Sequence, residues 1–185
     1  MADLIYASIM SLDGYVADLD GNFDWGEPDN EVHSFFNDLV RGVGTYLYGR
    51  RMYEVMVAWE TPEEFVGDSV VMQDFADIWQ ATDKVVYSRS LDSVSSAKTR
   101  IEREFDPAAI RELKTSATSD IGIGGPELAS HAIRAGLVDE FQFVVAPIII
   151  GGGKPVFPPD VRVELELVDE QRFAGGMFAV SYRVR

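Results

Sequence analysis

Apolar and polar residues alternate with two different periods along this chain, and the succession of those periods predicts strands and helices in turn. The run from Leu4 to Ser11 is short and apolar and ends in Asp13-Gly14, which predicts a buried strand followed by a turn. After a polar loop, Val32, Phe35, Phe36, Leu39 and Val40 recur at helical spacing. Asp29 or Asn30 stands at the N-cap of that helix, and Gly42 or Gly44 ends it. Thr45 to Tyr48 reads as a second strand, and Met52, Val55 and Met56 predict a helix opening at Arg50 or Arg51. Val71, Met72, Phe75, Ile78 and Trp79 mark a further helix over about 68 to 81. Lys84 to Ser88 and Ala97 to Phe105 read as strands, and Pro107 begins a helix through Leu113. Ile121 to Ile123 predicts a strand feeding Gly124-Gly125-Pro126, where a helix starts and runs to Gly136. Glu140 to Ile150 predicts a strongly apolar strand. The tail from Val161 to Val184 alternates as two antiparallel strands joined near Gly175-Gly176.

Strands alternating with helices predict an α/β fold: a mainly parallel central sheet covered on both faces in three α/β/α layers, with antiparallel C-terminal strands at one edge. No repeat, linker or low-complexity tract interrupts the sequence, so residues 1–185 are expected to form a single domain. A sheet of this kind binds ligands at the carboxyl ends of its strands. Each Gly-rich or Arg-bearing turn after a strand is therefore a candidate piece of one site.

Charge narrows the choice of ligand. The net charge of -15 repels phosphodiester backbones and anionic lipid, so neither nucleic acid nor membrane is an expected partner. An anionic ligand must be gripped locally. Cysteine is absent, which removes disulfides and thiolate metal sites, and the N-terminal apolar run is too short and lacks the basic flank of a signal peptide or anchor. A cytoplasmic protein is expected.

Gly122-Ile123-Gly124-Gly125-Pro126-Glu127-Leu128 joins a strand to a helix whose first amides are free, a suitable cradle for phosphate. It departs from the Rossmann fingerprint, since Glu127 stands where a third glycine is needed, and a plain tight turn is the competing reading. Gly49-Arg50-Arg51-Met52-Tyr53-Glu54 repeats the geometry with two guanidiniums suited to bidentate phosphate contact; Ser88-Arg89 adds a hydroxyl and another cation. Arginine at such turns suits a 2′-phosphate, pointing to NADPH. The Asp18 to Asp24 segment has Phe23 at the sixth position where a calcium loop needs glycine, Gly153-Lys154 is no P-loop, and His33 and His131 are too isolated for zinc; no metal site is expected.

In order, these segments resemble the dihydrofolate reductase superfamily, most closely its stand-alone bacterial branch related to the reductase domain of the riboflavin-biosynthesis deaminase-reductase. The resemblance covers nearly the whole chain. It is carried by Ser11-Leu12-Asp13-Gly14-Tyr15-Val16-Ala17, Asp20-Gly21, Asp24-Trp25, the Gly49 to Glu54 segment and Lys84-Val85-Val86-Tyr87-Ser88-Arg89. Gly124 to Leu128, Gly136-Leu137-Val138-Asp139-Glu140 and Pro147 to Phe157 complete it. The resemblance implies that the backbone at Val16 and Ala17 meets the nicotinamide carboxamide. Gly49, Arg50, Arg51, Ser88 and Arg89 would then face the adenosine phosphates, and Gly124, Gly125, Pro126, Glu127 and Leu128 the pyrophosphate. It also implies a cis peptide between Gly124 and Gly125. Met52 replaces the usual Thr or Ser, and His33 stands nearest the place of the pterin-binding carboxylate, so neither cofactor choice nor folate reduction transfers directly.

The activity implied is hydride transfer from NADPH to a C=N or C=O carbon of a small heterocyclic or ribosylaminopyrimidine-like substrate, resembling 5-amino-6-(5-phosphoribosylamino)uracil reductase. Phe23, Trp25, Phe35 and Phe36 would wall the substrate, and Asp13, Glu31, His33 or an ordered water would deliver the proton. The alternatives are a silent nucleotide-binding module, a dihydrofolate reductase or a flavin-binding reductase. A homodimer is expected through the apolar tail, with Phe173, Met177, Phe178, Val180 and Tyr182.

Overall fold

Leu4–Ser11 forms β1, and the chain returns at once in a three-residue strand, β2 (Tyr15–Ala17). The computed structural model describes residues 1–185. Helix α1 (Asn30–Val40) follows, its N-terminus capped by the Asp29 carboxylate, which accepts from the Val32 amide at 3.0 Å. Then come β3 (Val43–Gly49), α2 (Arg50–Met56), α3 (Val70–Ala81) capped by Ser69, β4 (Asp83–Tyr87) and β5 (Thr99–Glu102). Helix α4 (Pro107–Ser116) opens on proline with Asp106 as cap; β6 (Asp120–Gly124), α5 (Pro126–Arg134) and β7 (Glu140–Ala146) complete the parallel part. Two-residue β8 (Lys154–Pro155) and the hairpin β9 (Leu165–Arg172) and β10 (Phe178–Val184) close the chain.

Eight strands make one sheet in the order β5-β4-β3-β6-β1-β7-β10-β9, and β2 pairs with β8 apart from it. From β5 to β7 all neighbours are parallel; β10 and β9 are antiparallel additions at one edge. Alternation within each strand decides what faces which layer. Leu47, Val85, Ile121, Ile123, Phe141 and Phe143 pack with Ile110 of α4 and with Leu128, Ala129 and Ala132 of α5. On the opposite face Tyr46, Tyr48 and Val86 meet Tyr53 of α2 and Trp79 of α3, while Val144 and Ala179 meet Val32 of α1. The expected α/β/α layering is thus the observed one. No helix is long and apolar enough to cross a membrane.

Several boundaries differ from the sequence pattern. Apolarity continues from Ala146 through Ile150, yet β7 stops at Ala146 because Pro147 has no N–H to give the ladder and Ile148 turns its amide back to the Ala146 carbonyl. Strand β5 is only Thr99–Glu102, since Arg103 leaves the ladder to bond the turn after β4. The Gly124–Gly125 peptide is trans, as are all others, and Gly125 makes the turn with a φ of 90° that glycine alone adopts without strain.

Candidate active site

The register leaves a gap in the carboxyl edge of the sheet. Strand β1 pairs with β6 only as far as Tyr6↔Ile123, but it runs on beside β7 to Ser11↔Ala146. Ala7 to Ser11 therefore have no β6 neighbour; beyond Gly124, β1 runs on while β3 ends one residue later at Gly49 and turns into α2, so the notch lies between β1 and the β3–α2 turn. At its floor, β1 and β3 stand two strand spacings apart on either side of β6, roughly 10 Å between backbones. This is also where chain order reverses: β1 leads outward to β3, β4 and β5, and the chain then returns to β6 and crosses to β7.

The floor of the notch is Gly124-Gly125 and the start of α5. Gly125 is the N-cap and supplies no side-chain hydrogen bond, Pro126 has no N–H, and the Ala129 amide already reaches the Gly125 carbonyl at 3.0 Å. The Glu127 and Leu128 amides remain as uncapped donors at the positive end of the helix. Gly122 and Gly124 have a packing role as well. A methyl group at either would stand 2.9 Å from the ring of Tyr46 or Tyr48, which stack on each other at 5.3 Å. Met52, in the first turn of α2, lies against Gly124 and Gly125: its Cγ would be 3.3 Å from a methyl at Gly124, and its Cβ 3.3 Å from one at Gly125. The turns after β3 and β6 are thus in contact, with Met52 filling the space between them.

The cations of this half are divided between structure and solvent. Arg50 binds Glu54 through Nε at 2.7 Å and donates from Nη1 to the Ser90 hydroxyl at 3.0 Å, tying the turn after β3 to the turn after β4. Arg51 is exposed and makes no ion pair. The buried Ser88 hydroxyl accepts from the Leu91 amide at 3.0 Å and so shapes its own turn. Arg89 is exposed and 3.7 Å from Glu104. Arg103, which the sequence reading passed over, donates to the Ser88 and Leu91 carbonyls at 3.0 and 2.7 Å and fixes the turn that presents Arg89. A lone arginine just past an edge strand was its only signal.

Val16 and Ala17 lie on β2, held against β8 with Ala17↔Lys154 in register. Gly153 has a φ of 145° and passes so close to the Ala17 carbonyl that any Cβ there would collide. Asp13 closes this corner. Its carboxylate accepts from the Ser11 hydroxyl at 2.7 Å and from the Ile150 and Gly151 amides at 3.2 and 2.8 Å. The Ser11 hydroxyl, then the amides, hold its pKa below the usual carboxylate range, so near neutrality it is an ionised clamp with no proton to give.

Beside β1, a 3-10 turn (Asp24–Gly26) lays Gly26 against Ile9, 3.2 Å from a methyl group placed on the glycine. The Trp25 indole N–H is closed off from solvent and has no acceptor, and Phe23 is half exposed. Phe35 packs edge-on to Phe173 at 5.2 Å and to Phe36 at 6.3 Å, within the core that includes Val144. Glu31 accepts from the Ala174 amide at 2.9 Å and so fixes the β9–β10 turn. His33 faces α3: Nδ1 meets Asn37 Oδ1 at 3.2 Å, and the ring abuts Trp59 and Phe75 at 5.9 and 5.6 Å. The structure therefore gathers the expected cofactor turns along one edge but brings no two of Asp13, Glu31 and His33 into contact.

Residues 2–179 match the model of the family described as the RibD C-terminal domain. The uncharacterized protein YyaP of Bacillus subtilis (strain 168) is 28% identical over 176 residues, covering 94% of this chain and 90% of its own. Among solved structures, a putative riboflavin biosynthesis protein from Shewanella sp. PV-4 superposes with a TM-score of 0.77 at 22% identity, covering 100% of this chain and 99% of its own. The diaminohydroxyphosphoribosylaminopyrimidine deaminase/5-amino-6-(5-phosphoribosylamino)uracil reductase of Thermotoga maritima gives 0.69 at 15% identity, over 100% of this chain and 57% of that longer one. Dihydrofolate reductase from Enterococcus faecalis, complexed with NADP(H), gives 0.66 at 14% identity, over 99% and 96%. At these identities the structural likeness is one of fold.

Proposed function

The chain belongs to the RibD C-terminal domain family, and from that premise we propose that it is an NADPH-dependent reductase of a small heterocyclic substrate. The observation that carries this reading is the notch: a one-strand gap whose floor is an uncapped helix N-terminus and whose flank presents arginines from two adjoining turns. Bound there, NADPH would supply a hydride to a C=N or C=O carbon, with the accompanying proton taken from water.

The chain's own residues do the rest. The Glu127 and Leu128 amides receive the pyrophosphate, Arg51 is free to meet the adenosine phosphates and Arg89 can exchange its exposed Glu104 partner for them, while Arg50 and Arg103 hold the turns that carry them. Val16 and Ala17 offer extended backbone to the nicotinamide carboxamide, with Asp13 fixing the loop behind them. The turn that carries Phe23 and Trp25 packs on Ile9 of β1, on the side where the substrate would stack. With Asp13 ionised, Glu31 on the hairpin amide and His33 among aromatic rings, water is the proton donor of choice.

That same engagement of Asp13, Glu31 and His33 favours one second reading, a module that binds the dinucleotide without turning it over. Calorimetric titration with NADPH, followed by NADPH-oxidation assays against pterins and pyrimidine ribosylamines, separates the two. Binding with oxidation supports the reductase, binding with no oxidation across the panel supports the module, and no binding removes both.

A further inference from the structure

We infer that the substrate is a planar heterocycle without an anionic arm, uncharged or cationic, and in particular unphosphorylated. This deepens the reductase reading and rests on it. The charges around the notch are partitioned. Arg50, Arg51 and Arg89 all stand on the side of β3 and β4. The other wall is built from the first forty residues, which contain no lysine or arginine at all. The segments closing on that wall, 147–153 through Asp13 and 173–177 through Glu31, add none.

A phosphate needs guanidinium, ammonium or free helix amides to leave water. The substrate wall offers none of these. The N-terminus of α1 is the one helix start on this side, and it is already taken: the Asp29 carboxylate caps the Val32 amide, and the Ala174–Gly175 turn lies over it, with Asp29 Oδ2 2.8 Å from a methyl placed on Gly175. The loop above carries Asp18, Asp20, Asp24 and Glu27, so an anionic arm would meet repulsion instead of a partner. What the wall does offer is neutral: the exposed Phe23 ring, suited to stacking, next to Trp25, whose buried indole N–H has no acceptor. Lys154 stands beside Ala17 on the β2–β8 strand pair and Arg172 ends β9, both outside these segments. In this respect the site departs from the Thermotoga maritima relative, whose name specifies a phosphoribosylamino substrate.

The test uses matched pairs that differ only in the anionic arm, titrated into NADPH-loaded protein and followed by tryptophan fluorescence. One pair is a ribosylaminopyrimidine and its 5′-phosphate, the other 7,8-dihydropterin and dihydrofolate. The expected result is about tenfold tighter binding of the arm-free member in at least one pair, with the ratio growing as salt is lowered. The double variant Asp24→Lys, Glu27→Lys should narrow that ratio several-fold. Equal or tighter binding of the anionic member, above all if lost in Lys154→Ala, overturns the inference, as does failure of all four probes to bind. A prior calorimetric titration with NADPH keeps the two levels apart: absence of cofactor binding would sink the reductase reading itself.

Discussion

At the residue scale, the proposed function divides the arginines between grip and support. Arg51 is free, so Arg51→Ala should raise the NADPH Kd about tenfold, roughly 1.4 kcal/mol, and leave thermal stability unchanged. Arg50→Ala should weaken NADPH and also loosen the Ser90 tie, lowering the melting temperature. Calorimetry with NADPH and NADH checks both, and an Arg51→Ala protein that binds NADPH as the parent does would remove Arg51 from the site. Asp13 makes a prediction of opposite kind. Its folded pKa lies below that of an unfolded aspartate, ~3.9, so its stabilisation is complete above that value and is lost as pH falls through the folded one. The denaturation-midpoint advantage of the parent over Asp13→Asn should therefore be present at neutral pH and shrink in strong acid. A gap independent of pH would contradict the ionised clamp. Residue chemistry was only partly legible in the sequence. Glycine and arginine at strand ends marked the turns after β3, β4 and β6 that the structure brings to one edge, but not that Gly124 also makes room for Tyr48 or that Arg50 ties two of the turns together. The direction of His33 was not legible, since a helical period gives a face but not which helix, here α3, packs on it.

At the element scale, the buried parallel strands were legible because each is a compact apolar run between turn residues, while β2 and β8 were not. At three and two residues, they carry no period, and only the mutual approach of Ala17 and Gly153 creates them. That approach is testable: Gly153→Ala places a Cβ into the Ala17 carbonyl at a φ of 145° and should cost about 2 kcal/mol in chemical denaturation, with weakened NADPH binding through displaced Ala17. A neutral substitution would mean that the β2–β8 pair contributes little. The overshoot of β7 has a similar cause, since hydrophobicity does not stop at Pro147 but the hydrogen-bond ladder does.

At the scale of the whole molecule, the tail expected to mediate dimerisation is arranged differently from its apolar pattern. Strand β10 is interior, between β7 and β9, and Phe173 is buried, so the free edge is β9, where Leu167 and Val168 are exposed. We propose a homodimer in which two β9 edges pair about a two-fold axis. Light scattering should return twice the 20.5 kDa chain mass, and Leu167→Glu with Val168→Glu, which charges the exposed edge, should reduce it to one; a monomeric parent would refute the pairing. The central claim, that the notch at the carboxyl edge holds NADPH, is tested most directly by amide hydrogen exchange with and without the cofactor. The account predicts protection concentrated at Glu127 and Leu128, the turns after β3 and β4, and Val16–Ala17. Unchanged exchange at those amides, or protection confined to another part of the molecule, would contradict it.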